Sequence, residues 1–176
     1  MNKNLSFQKK DDVSIVLCGQ AGQGIQTVEH LLTRIFKLAG YNVFATKEYM
    51  SRIRGGMNST EIRVSSDPVH ASVGRVDILI SLDKEAVKHV EKRISPQTII
   101  LADEEVTSDD FDQNKYKFVE VPFTKTASRI GNKIYSNVVA VGTVAGLFRI
   151  ELQTVSNFVK QYFSAKSEEI DRKSVV

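Results

Sequence analysis

Apolar and polar positions alternate along this chain in a pattern that switches between a short period and a helical one. Val13-Ser14-Ile15-Val16-Leu17-Cys18 is a short apolar run with the character of a buried strand. It breaks at Gly19-Gln20-Ala21-Gly22-Gln23-Gly24. Ile25, Val28, Leu31, Leu32, Ile35 and Leu38 then recur at the spacing of one helix face, and Gly40 stands where a helix would stop. Residues 42–46 predict a second strand, which makes the opening a βαβ unit with a right-handed crossover. Residues 59–65 alternate, with Ile62 and Val64 against Glu61 and Arg63, and predict a strand with one wet face. Residues 76–80 and 98–102 are two further strands, and between them Asp83 is placed to cap a helix running to Ile94. Residues 103–112 are acidic and are expected to be exposed. A short strand over 117–121 and a helix over 123–130 follow. Residues 137–147 are apolar almost all round and rich in small residues, the pattern of a buried helix, and residues 154–163 form a last amphipathic one.

Strands alternating with helices predict an α/β fold: a Rossmann-like, doubly wound, mostly parallel sheet with helices on both faces. The organisation expected is a polar lead over 1–12, one domain over 13–163, and a charged tail or linker over 164–176. The length of 176 residues suits one domain with its own core. A net charge of +3, with no long run of Lys or Arg, argues against a nucleic-acid or membrane surface. No apolar stretch approaches the roughly 18–20 residues of a membrane span, and the polar start lacks the apolar centre of a secretory signal. With Cys18 as the single cysteine, no internal disulfide, CxxC pair or Cys₄ cluster can form. A cytoplasmic location is expected.

Two segments carry candidate chemistry. The first is the glycine loop. Three glycines between a strand and a helix allow a tight turn and expose N–H groups beside the positive end of the helix, an arrangement suited to phosphate or carboxylate. The same loop could serve only as a tight packing turn. Its spacing is GxxGxG rather than the dinucleotide GxGxxG, and Ile25-Gln26 stands where a Walker A loop has Lys-Ser/Thr. Glu48 is a loose candidate for a ribose-binding acid. The second segment is Glu48 to Ser59, with Arg52, Arg54, Gly55, Gly56 and Asn58. In a doubly wound sheet it would lie beside the glycine loop and bring two guanidinium groups to an anion; the alternative is a solvated hairpin-like connection. His30, His70 and His89 have no metal-ligand spacing, and Cys18 suits a small core residue better than a nucleophile. Neither a metal site nor a catalytic set is expected.

Taken in order, GQAGQGIQT, EYMSRIRGGMNSTEIRVSSDPVHA, VDILISLDKEAV and IYSNVVAVGTVAGL resemble the γ domain of 2-oxoacid:ferredoxin oxidoreductases. The resemblance runs from about residue 13 to 163, and the SRIRGG wording is most similar to the type fused ahead of the α domain. Ala21 replaces the second glycine of the family's usual loop, and Met57 stands where a histidine or small polar residue is common. The resemblance implies a non-catalytic γ component of a cytoplasmic complex that converts a 2-oxoacid to an acyl-coenzyme A. It implies α, β and ferredoxin-like partners that hold thiamine diphosphate, magnesium and iron–sulfur clusters, none of them bound by this chain alone. It leaves to this domain assembly, with self-association of the isolated chain open, and a share of the coenzyme A site. The residues so implicated are Gly19, Gln20, Gly22, Gln23, Gly24, Arg52, Arg54, Gly55, Gly56 and Asn58. A stand-alone nucleotide- or anion-binding module, or a sensor built on the same loop, is the competing reading.

Overall fold

The computed structural model describes residues 12–20, 24–49, 57–103, 115–132 and 135–174. The first apolar run forms β1 (Asp12–Gln20), buried from Val13 to Gly19. Ile25, Val28, Leu31, Leu32, Ile35 and Phe36 are the buried stripe of α1 (Ile25–Leu38). Leu38, placed on that stripe by sequence spacing, is instead 60% exposed. Gly40 follows at φ 87°, and its N–H bonds the Lys37 carbonyl, so the expected stop is where the sequence puts it.

Next come β2 (Asn42–Tyr49) and β3 (Met57–Ser65), each longer than its apolar core suggested. They pair antiparallel, and β3 then pairs antiparallel with β1, inserting itself between β1 and β2. The two strands flanking α1 are therefore not neighbours, and the simple βαβ unit is split by a hairpin strand. Beyond β1 the sheet is parallel through β4 (Ile78–Ser81), β5 (Ile99–Ala102) and β6 (Lys117–Glu120), in the order β2-β3-β1-β4-β5-β6.

The sheet has unlike faces. One carries Val13, Ile15, Leu17, Ile62, Val64, Ile78, Ile80, Ile99 and Leu101 under α1, α3 (Phe123–Ile130), α4 (Ser136–Leu147) and α5 (Leu152–Ser174). Phe36 sits at its centre, edge-on to Tyr41 at 5.9 Å and Phe148 at 4.7 Å between ring centroids. The other face has a smaller apolar cluster, including Val16, Cys18, Met57 and Leu79, under α2 (Ala86–His89).

Five expectations need correction. The helix expected from Asp83 to Ile94 is the single turn α2 followed by a 3-10 turn, Glu91–Arg93. Its continuation is stopped because the Arg93 carbonyl accepts from the Val76 N–H and its guanidinium reaches Glu61 and the carbonyls of Val73 and Gly74. The wet face of β3 is covered: Glu61 is 8% exposed, paired with Arg93 and accepting from Ser14 Oγ and the Val73 N–H. In α4 it is Ala140, Val141, Val144 and Ala145 that are buried, while Gly142 and Gly146 face outward with nothing close to them. Helix α5 continues past Phe163 to Ser174, through the segment read as a tail. Of the acidic stretch, Asp103 is buried and accepts from the Thr124 N–H and hydroxyl; residues 104–112 lie outside the described residues, as does nearly all of the polar lead.

Replacing Phe36 by alanine removes the ring that α1, Tyr41 and Phe148 share, at a cost of about 3–5 kcal/mol. Denaturant unfolding of the two proteins measures it. The expected result is a lower midpoint with an unchanged m-value.

Candidate functional site

The antiparallel register decides what meets at the carboxyl edge of the sheet. Gly19 is opposite Asn58 and Gln20 opposite Met57, while Tyr49 is opposite Asn58 from the other side. β1 ends at this edge, and β2 ends and β3 begins there, an antiparallel hairpin pair rather than a parallel strand-to-helix connection. Gly22, Gln23, Arg52, Arg54, Gly55 and Gly56 lie outside the described residues. Gly19, Gln20 and Asn58 meet at this edge, Gly19 buried, Gln20 exposed and Asn58 half-buried; Gly24, also half-buried, stands at the start of α1.

Gly24 begins α1 with φ 75°, in the left-handed region that favours glycine. It also lies under Asn137 of α4, whose carboxamide nitrogen occupies the space a β-carbon would need. The first turns of α1 and α4 are therefore side by side, two helix ends that each leave early N–H groups without intrahelical acceptors. Sequence reasoning missed Asn137 as the neighbour of Gly24. Its signal was only that it follows a turn and opens an apolar helix.

The strand ends around the loop are fixed by short polar bonds. Gln20 Nε2 donates to Asp83 Oδ2 at 2.7 Å, and Asp83 Oδ1 accepts from the Glu85 N–H at 2.9 Å. Asp83, expected to cap the helix, instead accepts from the N–H of Glu85, which is itself the residue capping α2 without a side-chain bond, and it also steadies the last residue of β1. Glu48, the loose ribose candidate, accepts from the Ser59 hydroxyl at 3.0 Å and lies 3.4 Å from His89 Nε2. It is part of a cross-strand group on the α2 face.

Cys18 is fully buried, and Met57, which stands where the family commonly has a histidine or small polar residue, is only 8% exposed in the same apolar cluster. Met50 and Ile53 lie outside the described residues. Burial, reinforced by the negative charge of Glu48, pushes the Cys18 thiol up to about 12. Among the described residues no three His, Cys, Asp or Glu side chains are grouped to hold a metal ion, and no helix is long and apolar enough to cross a membrane. A separate open groove between α1 and α5, lined by His30, Arg34, Lys37, Leu38, Phe158 and Tyr162 among others, engages the far half of α1 and not the glycine loop.

An α/β domain with a glycine loop and a hairpin loop paired at the carboxyl edge is the class that fold and site define. The sequence matches the family described as pyruvate ferredoxin/flavodoxin oxidoreductase over residues 14–173. It is 26% identical over 161 residues to the 2-oxoglutarate synthase subunit KorC of Archaeoglobus fulgidus, covering 90% of this chain and 83% of that one. With the Methanocaldococcus jannaschii subunit of the same name it shares 31% identity over 157 residues, 85% of this chain and 81% of the other. A solved structure of 2-oxoglutarate:ferredoxin oxidoreductase from Magnetococcus marinus, with 2-oxoglutarate, coenzyme A and succinyl-CoA bound, superposes with a TM-score of 0.79 at 24% identity. That likeness covers 90% of this chain and 28% of the Magnetococcus chain. This chain belongs to the pyruvate ferredoxin/flavodoxin oxidoreductase family, and within it to the γ type.

The thiol pKa gives a test. The unfolded thiol ionises near its ordinary value of about 8.5, whereas the folded one holds its proton to about 12. The folded state therefore binds more protons between these values, and stability should fall as pH rises from about 9 toward 12. At pH 8 a disulfide reagent should label Cys18 only as fast as the protein opens, and immediately in denaturant. Rapid native labelling would contradict the burial.

Proposed function

We propose that this chain is the γ component of a 2-oxoacid:ferredoxin oxidoreductase, and that its glycine loop and the Arg52–Asn58 segment form part of the coenzyme A site. The observation that supports the reading is the β1–β3 register, which sets Gly19 opposite Asn58 and Gln20 opposite Met57, the described ends of the two segments. Coenzyme A bears a pyrophosphate and a further phosphate. Backbone N–H groups at a helix start and guanidinium groups are the partners such anions favour. In this reading Gly19, Gln20, Gly22, Gln23 and Gly24 supply the backbone cradle, Arg52 and Arg54 the charge. Gly55, Gly56 and Asn58 let the second segment approach closely.

The domain binds and orients; the carbon chemistry lies elsewhere. Thiamine diphosphate, when bound, supplies the electron sink for decarboxylation. Cys18 does not fit an iron–sulfur cluster: it is buried and protonated where a cluster ligand must be a thiolate. We assign thiamine diphosphate, magnesium and the clusters to α, β and ferredoxin-like partners in a cytoplasmic complex. The choice of 2-oxoacid follows the partners as well.

Two experiments bear on this. In the complex reconstituted with its partner chains, Arg54→Ala should raise the KM for coenzyme A about 10–100-fold, the equivalent of one charge-assisted hydrogen bond of roughly 1.5–3 kcal/mol. An unchanged KM rejects that role for Arg54. The purified chain alone, given thiamine diphosphate, a 2-oxoacid and coenzyme A, should not reduce a dye. Turnover by the isolated chain would overturn the assignment of the chemistry to its partners.

A further inference from the structure

The groove between α1 and α5 encloses about 710 Å³ over the far half of α1. On α1 it is lined by His30, Arg34, Lys37 and Leu38, spaced i, i+4, i+7 and i+8, which is one face of that helix. On α5 the lining residues are Phe158, Gln161, Tyr162 and Ala165, spaced i, i+3, i+4 and i+7. Two helix faces side by side thus form a trough about two helical turns long, roughly 12 Å at the rise of an α-helix.

The trough is apolar along its middle and cationic on one rim only. Leu38 is 60% exposed, although its spacing assigns it to the buried stripe of α1. It adds apolar surface to the half-buried rings of Phe158 and Tyr162. His30 packs on Tyr162 with ring centroids 5.2 Å apart. Arg34 and Lys37 are exposed, and neither side chain has an ion pair or hydrogen bond among the described residues. On the other rim Gln161 and Ala165 are uncharged. Over residues 25–38 and 152–165 the two helices carry one acid, Glu29, and it is already paired with Lys47 at 2.8 Å. No described acid of either helix neutralises the α1 rim.

We propose that this trough docks an acidic amphipathic helix belonging to a partner chain of the oxidoreductase complex. The occupant lays its apolar stripe on Leu38, Phe158 and Tyr162 and turns Asp or Glu side chains toward Arg34 and Lys37. The free cations on one rim set both the charge of the occupant and the way it is rolled about its axis. A concave trough two turns long suits a helix and not a flat lipid surface. The proposal rests on the reading of this chain as one component of a complex, and it is independent of where coenzyme A binds.

The test measures the dissociation constant of the purified full chain for its partner chains, at low and at high salt. Arg34→Glu combined with Lys37→Glu should raise it about tenfold at low salt and less at high salt, because rim charges are screened. Leu38→Asp should raise it at both. All three side chains are exposed, so the melting temperatures should match wild type, which separates lost docking from lost fold. At saturating partner the KM for coenzyme A should stay within twofold of wild type. A photo-crosslinking residue at Gln161 should couple to an Asp- or Glu-rich segment of a partner chain. The proposal is overturned if that crosslink goes to a second copy of this chain or forms with no partner. It is equally overturned if the rim cations govern binding to phosphatidylserine vesicles and not to the partner chains. Assembly that ignores all the groove variants sinks this inference alone. A wild-type chain that does not assemble with the partners sinks the reading of the complex, and this inference with it.

Discussion

The antiparallel pairing of β3 against β1 is the constraint from which the site follows. It spans all nine residues of β1, from Asp12 opposite Ser65 to Gln20 opposite Met57. A slip of one residue would turn Ile62 and Val64 out of the main core and Glu61 and Arg63 into it. The register is therefore locked by burial. At its far end a bidentate Arg63–Asp12 pair, both contacts 2.9 Å, closes the ladder and holds the Asp12 carboxyl below the usual carboxylate range. With the register locked, Gly19 and Asn58 must face each other, and the ends of β1 and β2 meet the start of β3 at one edge.

The second face of the sheet explains why this hairpin can sit in the middle of the strand order. A β3 flanked by solvent would leave Glu61 wet. Here the chain from Ser66 to Val76 folds over it, and Glu61 gathers Arg93, Ser14 and the Val73 amide. Asp77 similarly receives the Ser14 amide and Arg75 Nε, both at 3.0 Å. Removing one partner from such a buried group leaves an uncompensated charge, which costs more than the pair contributes net. The network specifies one arrangement of the hairpin, β1 and the short α2 region. The apolar face supplies bulk stabilisation through α1, α4 and α5.

The functional edge combines rigidity with open valences. Gln20 and Asp83 fix the end of β1, and Asp103 and Thr124 fix the end of β5. Between them, α1 and α4 bring their first turns together at Gly24 and Asn137. In the proposed coenzyme A site, dipoles are oriented before the ligand arrives. In the proposed reading the reactive end of the ligand is left to the partner chains, and the single thiol of this chain is sealed in the core.

The sequence by itself determined the elements whose signal is local. The apolar run of β1, the helical stripe of α1, the helix from Phe123 to Ile130 before Gly131, and the glycine loop between strand and helix are all written in short-range periodicity. The four segments in order also carried the family resemblance, because together they fix far more positions than any one motif. Tertiary structure decided what depends on long-range competition. The helix expected after Asp83 is cut short because Val76 and Glu61, distant in sequence, claim the backbone and side chain of Arg93. Strand alternation could not reveal that β3 would enter between β1 and β2 antiparallel, since period-two patterns are the same for either direction. Nor could it reveal that Glu61 would be buried or Met57 packed in the core. Asn137 over Gly24 is the clearest case: a contact between two helix starts far apart in the chain exists only once both helices have packed on the same sheet face.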